Sequence, residues 1–312
     1  MKVLIELPTW LGDCVMTTPS LYNILNSFTE IEIGFIGSEV SIQALQNFPK
    51  AKYFLILQKK FYRDIFNLRE IGEYDFFISY RGSFRSIILG FFVSARKKYR
   101  YQKSLFIDGH QVEKYNNFIN SVLGLSTTPH ELSLLPYNEA KVQTQLKKIG
   151  INPGAAYGNA KMWTKEGFAE VIAHLSKENK IIIFGAKCEN FYTEADEGKF
   201  NFPNIVNLSG RTNVQELVSE ISDLDLFITG DSGPMHIAAA FQIPTISIFG
   251  PTKFQETSQW KNKFSKIIKK DLECQPCMKR TCPLKHHNCM KLIKPEEVLN
   301  EYQSLLREIE ID

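Results

Sequence analysis

Three stretches of this 312-residue chain combine residue types and spacings that could do chemistry. The first is 229–252, TGDSGPMHIAAAFQIPTISIFGPT, where an apolar run ends at Gly230-Asp231 and a helical pattern begins near Pro234. Proline in a first helical turn loses no hydrogen bond, since its missing amide would be unpaired there. The amides of Ser232, Gly233 and Met235 then lie at a helix end carrying about +0.5 of a charge, suited to a diphosphate. Gly233 has no side chain to block the approach. The plainer alternative is that Asp231 or Ser232 only caps the helix.

The second stretch, 59–103, holds eleven Lys and Arg against four acids, a surplus of seven in a chain whose net charge is +3. Arg81 and Arg85 flank a turn there and can grip carboxylates or phosphates bidentately, with Arg63 and Lys98 in the same field. A solvated face is the alternative; nucleic acid is not expected, because no motif of a DNA or RNA module accompanies the charge. The third stretch is Cys274-x2-Cys277-x4-Cys282-x6-Cys289, with His286 and His287 inside its last interval. It has ligands enough for tetrahedral zinc, but its spacings miss the usual paired pattern, so thiols in a loop without metal are expected and zinc is the alternative.

Short apolar runs alternating with helical patterns must position these groups. Strands are expected at 2–7, 31–36, 53–57 and 75–79, with helices over 15–25, 40–45 and 61–71. The pattern restarts with strands at 148–152, 180–184, 224–229 and 245–249 and helices over 165–175, 214–221 and 235–241. A final helix over 295–309 opens on Pro-Glu-Glu, good residues for a first turn. Such alternation implies parallel sheets covered by helices on both faces, and ligands bind outside the carboxyl ends of their strands. Proline and polar residues break both periodicities near 135–147, so two doubly wound Rossmann-like domains, 1–146 and 147–312, are expected to face each other across a cleft. The last helix has the option of packing back on the first domain.

At 44% hydrophobic residues the chain can build two cores, and 37 Lys and Arg against 34 Asp and Glu exclude a generic polyanion binder. No apolar stretch approaches the ~20 residues that span a bilayer, and the N-terminal run is interrupted by Glu6 and Pro8. Neither a signal peptide nor a spanning helix is expected. Cytoplasmic residence, reduced cysteines and peripheral attachment to a membrane face fit that expectation.

The GDSGPMHIAAA segment, the N-terminal LPTWLGD before a helix, and NPGAAYGNAKMW at 152–163 together resemble the lipopolysaccharide heptosyltransferases, glycosyltransferase family nine. The cysteine-bearing CQPCMKRTCPLKHHNCM is similar to the heptosyltransferase II branch. The resemblance implies a GT-B fold whose C-terminal domain holds the donor, ADP-L-glycero-β-D-manno-heptose, and whose N-terminal domain holds a heptosyl-Kdo2-lipid A acceptor at the inner face of the cytoplasmic membrane. It implies that Asp13, after Gly12, is the general base that takes the proton of the acceptor hydroxyl. Gly12 would border the donor, Lys161 would meet its phosphates, Glu189 the ADP ribose, and Thr212 the region of the adenosine. Asp231, Ser232, Gly233 and His236 would surround the diphosphate. The reaction implied is an inverting, metal-independent transfer that requires no cofactor beyond the donor. Asp13 as a mere helix cap, Lys161 as a surface lysine, Glu189 as a helix-start acid and His236 as a core residue are the structural alternatives. A non-catalytic two-domain binding protein and a dehydrogenase are rivals; the second lacks a G-x-G-x-x-G turn.

Overall fold

The computed structural model describes residues 1–58, 67–68, 70–136, 146–186 and 204–311, which divide into two compact units, Met1–Leu135 and Pro136–Asp312. The division falls inside the segment expected to join the domains, eleven residues before the 146/147 boundary read from periodicity.

The first unit contains β1 (Lys2–Glu6), α1 (Leu11–Met16), α2 (Thr18–Ser27), β2 (Glu32–Gly37), α3 (Glu39–Ala44), β3 (Ala51–Ile56), β4 (Tyr74–Ser79), α4 (Phe84–Phe92), β5 (Ala95–Arg100) and α5 (Gln111–Leu123). Its five strands are parallel in the order β3-β2-β1-β4-β5. Central strands of a parallel sheet are covered on both faces, which is why Val3, Leu4 and Ile5 are all fully buried rather than alternating. The helix expected over 15–25 is instead two. It begins at Leu11, and Thr17 and Thr18 turn their hydroxyls back onto the carbonyls of Cys14 and Val15, while Pro19 sits in the first turn of α2. The helix expected over 61–71 lies largely outside the described residues.

The second unit contains β6 (Lys148–Asn152), α6 (Lys165–Leu175), β7 (Lys180–Ile183), β8 (Ile205–Asn207), α7 (Val214–Ser222), β9 (Leu226–Gly230), α8 (Gly233–Ala240), β10 (Thr245–Ile248), α9 (Phe254–Thr257), β11 (Ser265–Ile268), α10 (Asn288–Lys291) and α11 (Pro295–Ile311). The strands are again parallel, in the order β11-β10-β9-β6-β7-β8. One core joins Ile149, Ile151, Phe168, Ile181, Ile228 and Ile246, and Val298, Tyr302 and Leu305 of α11 belong to it. The last helix thus buries its apolar stripe in its own unit, where α6 and β11 provide the complementary surface.

Three strands escape a periodicity search: β5, β8 and β11 are all sheet edges. An edge strand is half solvated, and ARKKYR in β5 carries the charge that keeps such an edge from pairing with another chain.

Candidate active site

Each sheet has one place where the strand order reverses, and each unit concentrates polar side chains there. In the first unit the reversal lies between β1 and β4, with Glu6 opposite Ser79. Glu6 is fully buried; Ser79 and Ser86 donate their hydroxyls to it at 2.6 and 2.9 Å, and Arg81 Nη1 lies 3.5 Å away. Burial raises its carboxyl above the usual carboxylate range, against the pull of Ser79, Arg81, Ser86 and Arg85. Arg81 thus lies against this carboxyl at the head of the sheet, and the Arg85 charge acts on it from farther away. Arg85 Nη2 also donates to the Gln58 carbonyl at 2.6 Å. Lys98 is not brought to them: it lies on the edge strand and donates to the Gly90 carbonyl of α4 at 2.8 Å. Arg63 lies outside the described residues.

The loop after β1 leads to Asp13. Gly12 and Asp13 occupy the first turn of α1, whose cap position is Trp10, half exposed and without a side-chain cap bond. Asp13 is thus inside the helix rather than capping one that starts at Val15. Tyr115 of α5 donates its hydroxyl to Asp13 Oδ1 at 3.3 Å. Burial, and next the Asp13 charge, push this phenol well above its ordinary pKa, so it stays a donor throughout the working pH range. Ser41 closes the preceding loop by donating to the Pro8 carbonyl, and Ser38 donates to that of Thr9 at 3.0 Å. A partly buried carboxylate in the first turn of a helix that follows a pinned loop, oriented by a neutral phenol, is placed to accept a proton.

In the second unit the reversal lies between β6 and β9, where Asn152 faces Thr229. Asn152 Nδ2 donates to Ser232 Oγ at 3.1 Å, and Ser232 and Thr229 hydroxyls are 3.1 Å apart. Ser232 is the cap residue of α8, yet its side chain makes no cap bond because it is held sideways in this cluster. Asp231 does not cap either. Its carboxylate accepts from Thr252 Oγ1 at 2.5 Å and pairs with Lys161 Nζ at 2.6 Å. The capping alternative is therefore removed for both residues, and the positive end of α8 is left without a side-chain anion. Its donors are fewer than the three expected: the Met235 amide turns back to the Ser232 carbonyl at 3.2 Å, so Ser232 and Gly233 supply this end. His236, in the same first turn, is buried.

Lys161 is not a surface lysine. Its side chain is 13% exposed and that of Asp231 4%, and the ammonium lies 4.8 Å from the centre of the Tyr157 ring. A cation in such surroundings acts on a nearby anion with far less screening than in water. Thr212 follows the Ser209-Gly210 turn just before α7, and the Gly210 amide donates to the Gly185 carbonyl after β7. Thr212 is thus on the carboxyl-end side of the same sheet. Glu189 lies outside the described residues.

Several contributors had weak or no signals in the sequence. Glu6 reads only as an interruption of an apolar run. Thr252 and Asn152 stand 21 and 79 positions from Asp231, and only the sheet order brings them together. The cysteine segment also has a role that spacing does not reveal. Arg280 accepts through its carbonyl from the Ala160 amide at 3.1 Å, His287 Nε2 meets the Ala160 carbonyl at 3.0 Å, and Tyr157 donates to the Met278 carbonyl at 2.8 Å. The segment is the clamp that holds the Lys161 turn. Gly158 lets it close: at φ +152° a Cβ would stand 2.4 Å from the Arg280 carbonyl oxygen. The four cysteines line one cavity with His286 and His287, and among the described residues no group of three or more His, Cys, Asp or Glu is placed to hold a metal ion.

The model of glycosyltransferase family 9 (heptosyltransferase) matches residues 67–288. The chain belongs to this family. It is similar to the lipooligosaccharide heptosyltransferase 2 of Campylobacter jejuni serotype O:2, with 39% identity over 98% of this chain and 99% of that protein. The solved Escherichia coli ADP-heptose lipopolysaccharide heptosyltransferase II superposes with a TM-score of 0.81 at 20% identity, covering 99% of this chain and 100% of the other. E. coli heptosyltransferase WaaC with ADP superposes at 0.74 and 18% identity, over 98% and 100%. The family-9 chain is accordingly a glycosyltransferase of GT-B class, built from two parallel-sheet α/β units.

Proposed function

We propose that the protein transfers heptose from ADP-heptose to the first heptose of a Kdo2-lipid A acceptor, with inversion at the anomeric carbon. The observation that carries the donor half is the uncapped positive end of α8 beside a mostly buried lysine that Asp231 holds in place, a pair suited to a diphosphate. Its similarity to heptosyltransferases 2 supports the sugar and the acceptor.

In this scheme Asp13 takes the proton of the acceptor hydroxyl as that oxygen attacks the anomeric carbon. The transition state is oxocarbenium-like, as in glycoside cleavage. Negative charge gathers on the departing ADP, and Lys161 with the Ser232 and Gly233 amides stabilises it. These groups supply the positive charge that a divalent ion supplies in other transferases. Glu189 and Thr212 complete the nucleoside side. Arg81, set by Glu6, and Arg85, set by the Gln58 carbonyl, receive the anionic groups of the acceptor. The donor belongs to the second unit and the acceptor to the first.

The acceptor is an anionic lipid, so the working place of the enzyme is the cytoplasmic face of a membrane. Among the described residues no helix is long and apolar enough to cross one, and attachment would be peripheral. Titrating ADP, UDP and GDP separately tests the donor reading. ADP should bind at least tenfold more tightly than the other two, and equal affinities would remove the adenosine from the assignment.

A further inference from the structure

Helix α4 is apolar at seven of its nine positions, if Gly90 is counted with the side chains of Phe, Ile and Leu, yet only Ser86 and Leu89 are buried. Phe84 and Phe91, seven residues apart and so on one helical face, are 75% and 78% exposed. Leu105 and Ile107, in the turn after β5, are 68% and 70% exposed. The two segments are neighbours: a Cβ on Gly82 would stand 3.2 Å from the Tyr101 carbonyl oxygen, so the turn leaves the sheet beside the start of α4. Four large apolar side chains this open are not a scatter of single residues; they mark a face that meets something.

The charge around them says what. From residue 76 to 107 the chain has seven Lys and Arg and no Asp or Glu. Arg96, Lys97, Lys98 and Lys103 are exposed, and Lys98 reaches over to the Gly90 carbonyl next to Phe91, tying the basic strand to the apolar helix. Exposed aromatic and aliphatic tips within a predominantly basic rim, where Asp75 pairs with Arg96 and Asp108 follows Ile107, match the boundary of an anionic bilayer, where rings enter the headgroup layer and ammonium groups meet lipid phosphates. A protein partner of the same complementarity would need a matching acidic and apolar surface; the bilayer needs only anionic headgroups.

We infer that Phe84, Phe91, Leu105 and Ile107, with the basic edge strand β5, form the surface by which this enzyme docks on an anionic membrane. The inference rests on the reading of the acceptor as a membrane lipid and names the part of the chain that meets that membrane. The face begins at the helix whose first turn carries Arg85, so docking would hold the acceptor-binding end of the first sheet close to the headgroups.

The test is co-sedimentation of the full-length protein with vesicles of phosphatidylcholine alone or with 30% phosphatidylglycerol. The wild type should bind the anionic vesicles and not the neutral ones, and binding should weaken with salt. Phe84→Ser with Phe91→Ser should lower the partition coefficient by roughly tenfold or more. Lys97→Glu should lower it by at least fivefold, about what one headgroup contact contributes. Because all three side chains are exposed, the melting temperatures should stay at the wild-type value, and turnover on a de-acylated acceptor in free solution should be unchanged. Binding that is equal on neutral vesicles, or unaffected by the paired phenylalanine change, overturns the inference. Loss of binding only through unfolding is separated by Leu105→Ser with Ile107→Ser, which must reproduce the defect in folded protein or the inference fails. If the de-acylated acceptor is not glycosylated at all while anionic vesicles are bound, the proposed function fails and the docking surface stands.

Discussion

Removing Lys161 should have two separable effects, one on folding and one on diphosphate binding. In Lys161→Met the Asp231 carboxylate, 4% exposed, keeps only the Thr252 hydroxyl among the partners seen here. Breaking one side of such a buried pair costs about 3–5 kcal/mol. The double variant Lys161→Met with Asp231→Asn removes both charges, and most of that loss should return. Donor binding should not return with it. A charge-assisted hydrogen bond contributes about 1.5–3 kcal/mol, so ADP affinity should fall roughly 10- to 100-fold in both the single and the double variant. Adenosine, which lacks the diphosphate, should bind either variant within about twofold of the wild type. Urea unfolding gives the first quantity and calorimetric titration of the two ligands gives the second. Equal weakening toward ADP and adenosine, or recovery of ADP affinity in the double variant, would refute the placement of Lys161 against the diphosphate.

Other outcomes follow from the same geometry. Asp13→Asn should leave ADP-heptose affinity within a few-fold and cut turnover by about 10²–10⁴, measured as initial rates per folded molecule; Tyr115→Phe should cost less, since it removes only the donor that orients the carboxylate. Glu6 has a folded pKa above the value it would have unfolded, so the folded chain binds its proton more tightly. From about pH 4.5 up to the raised value, stability should fall as pH rises. Glu6→Gln should flatten that part of the profile in urea midpoints measured against pH. Gly158→Ala must push Arg280 away, and should weaken ADP binding while Asp13-side kinetics for the acceptor stay near the wild type. Cys14 and Cys289, pushed up to about 12 and about 11 chiefly by burial, should resist iodoacetamide at pH 8 in the native protein and react once it is unfolded.

Where the chain buries both faces of a strand or one stripe of a helix, the sequence already shows the element: β1, β6, α6 and α8 stand where apolar runs and first-turn prolines place them. The edge strand β5 is legible only as charge, because half of its surface is solvated. The Thr17-Thr18 break within α1–α2 is hidden for another reason, since the hydroxyls that terminate α1 bond to their own backbone and leave no mark in the hydrophobic period. At the site, Asp231 is readable as important from its glycine-flanked turn, but not its task. Its carboxylate holds Lys161 because β6 and β9 are neighbours, a fact of strand order and not of local sequence. Glu6 is the same kind of case, a carboxylate at the end of a buried strand whose partners come from β4 and α4.

The most direct test of the central claim is mass spectrometry of acceptor after incubation with ADP-heptose. Three defined acceptors are needed: Kdo2-lipid A, the same lipid bearing one heptose, and the same bearing two. One heptose residue should be added to the acceptor that already bears one, with release of ADP and an anomeric configuration opposite to that of the donor. Addition only to Kdo2-lipid A, retention of configuration, or no transfer to any of the three by a folded protein that binds ADP would contradict the account.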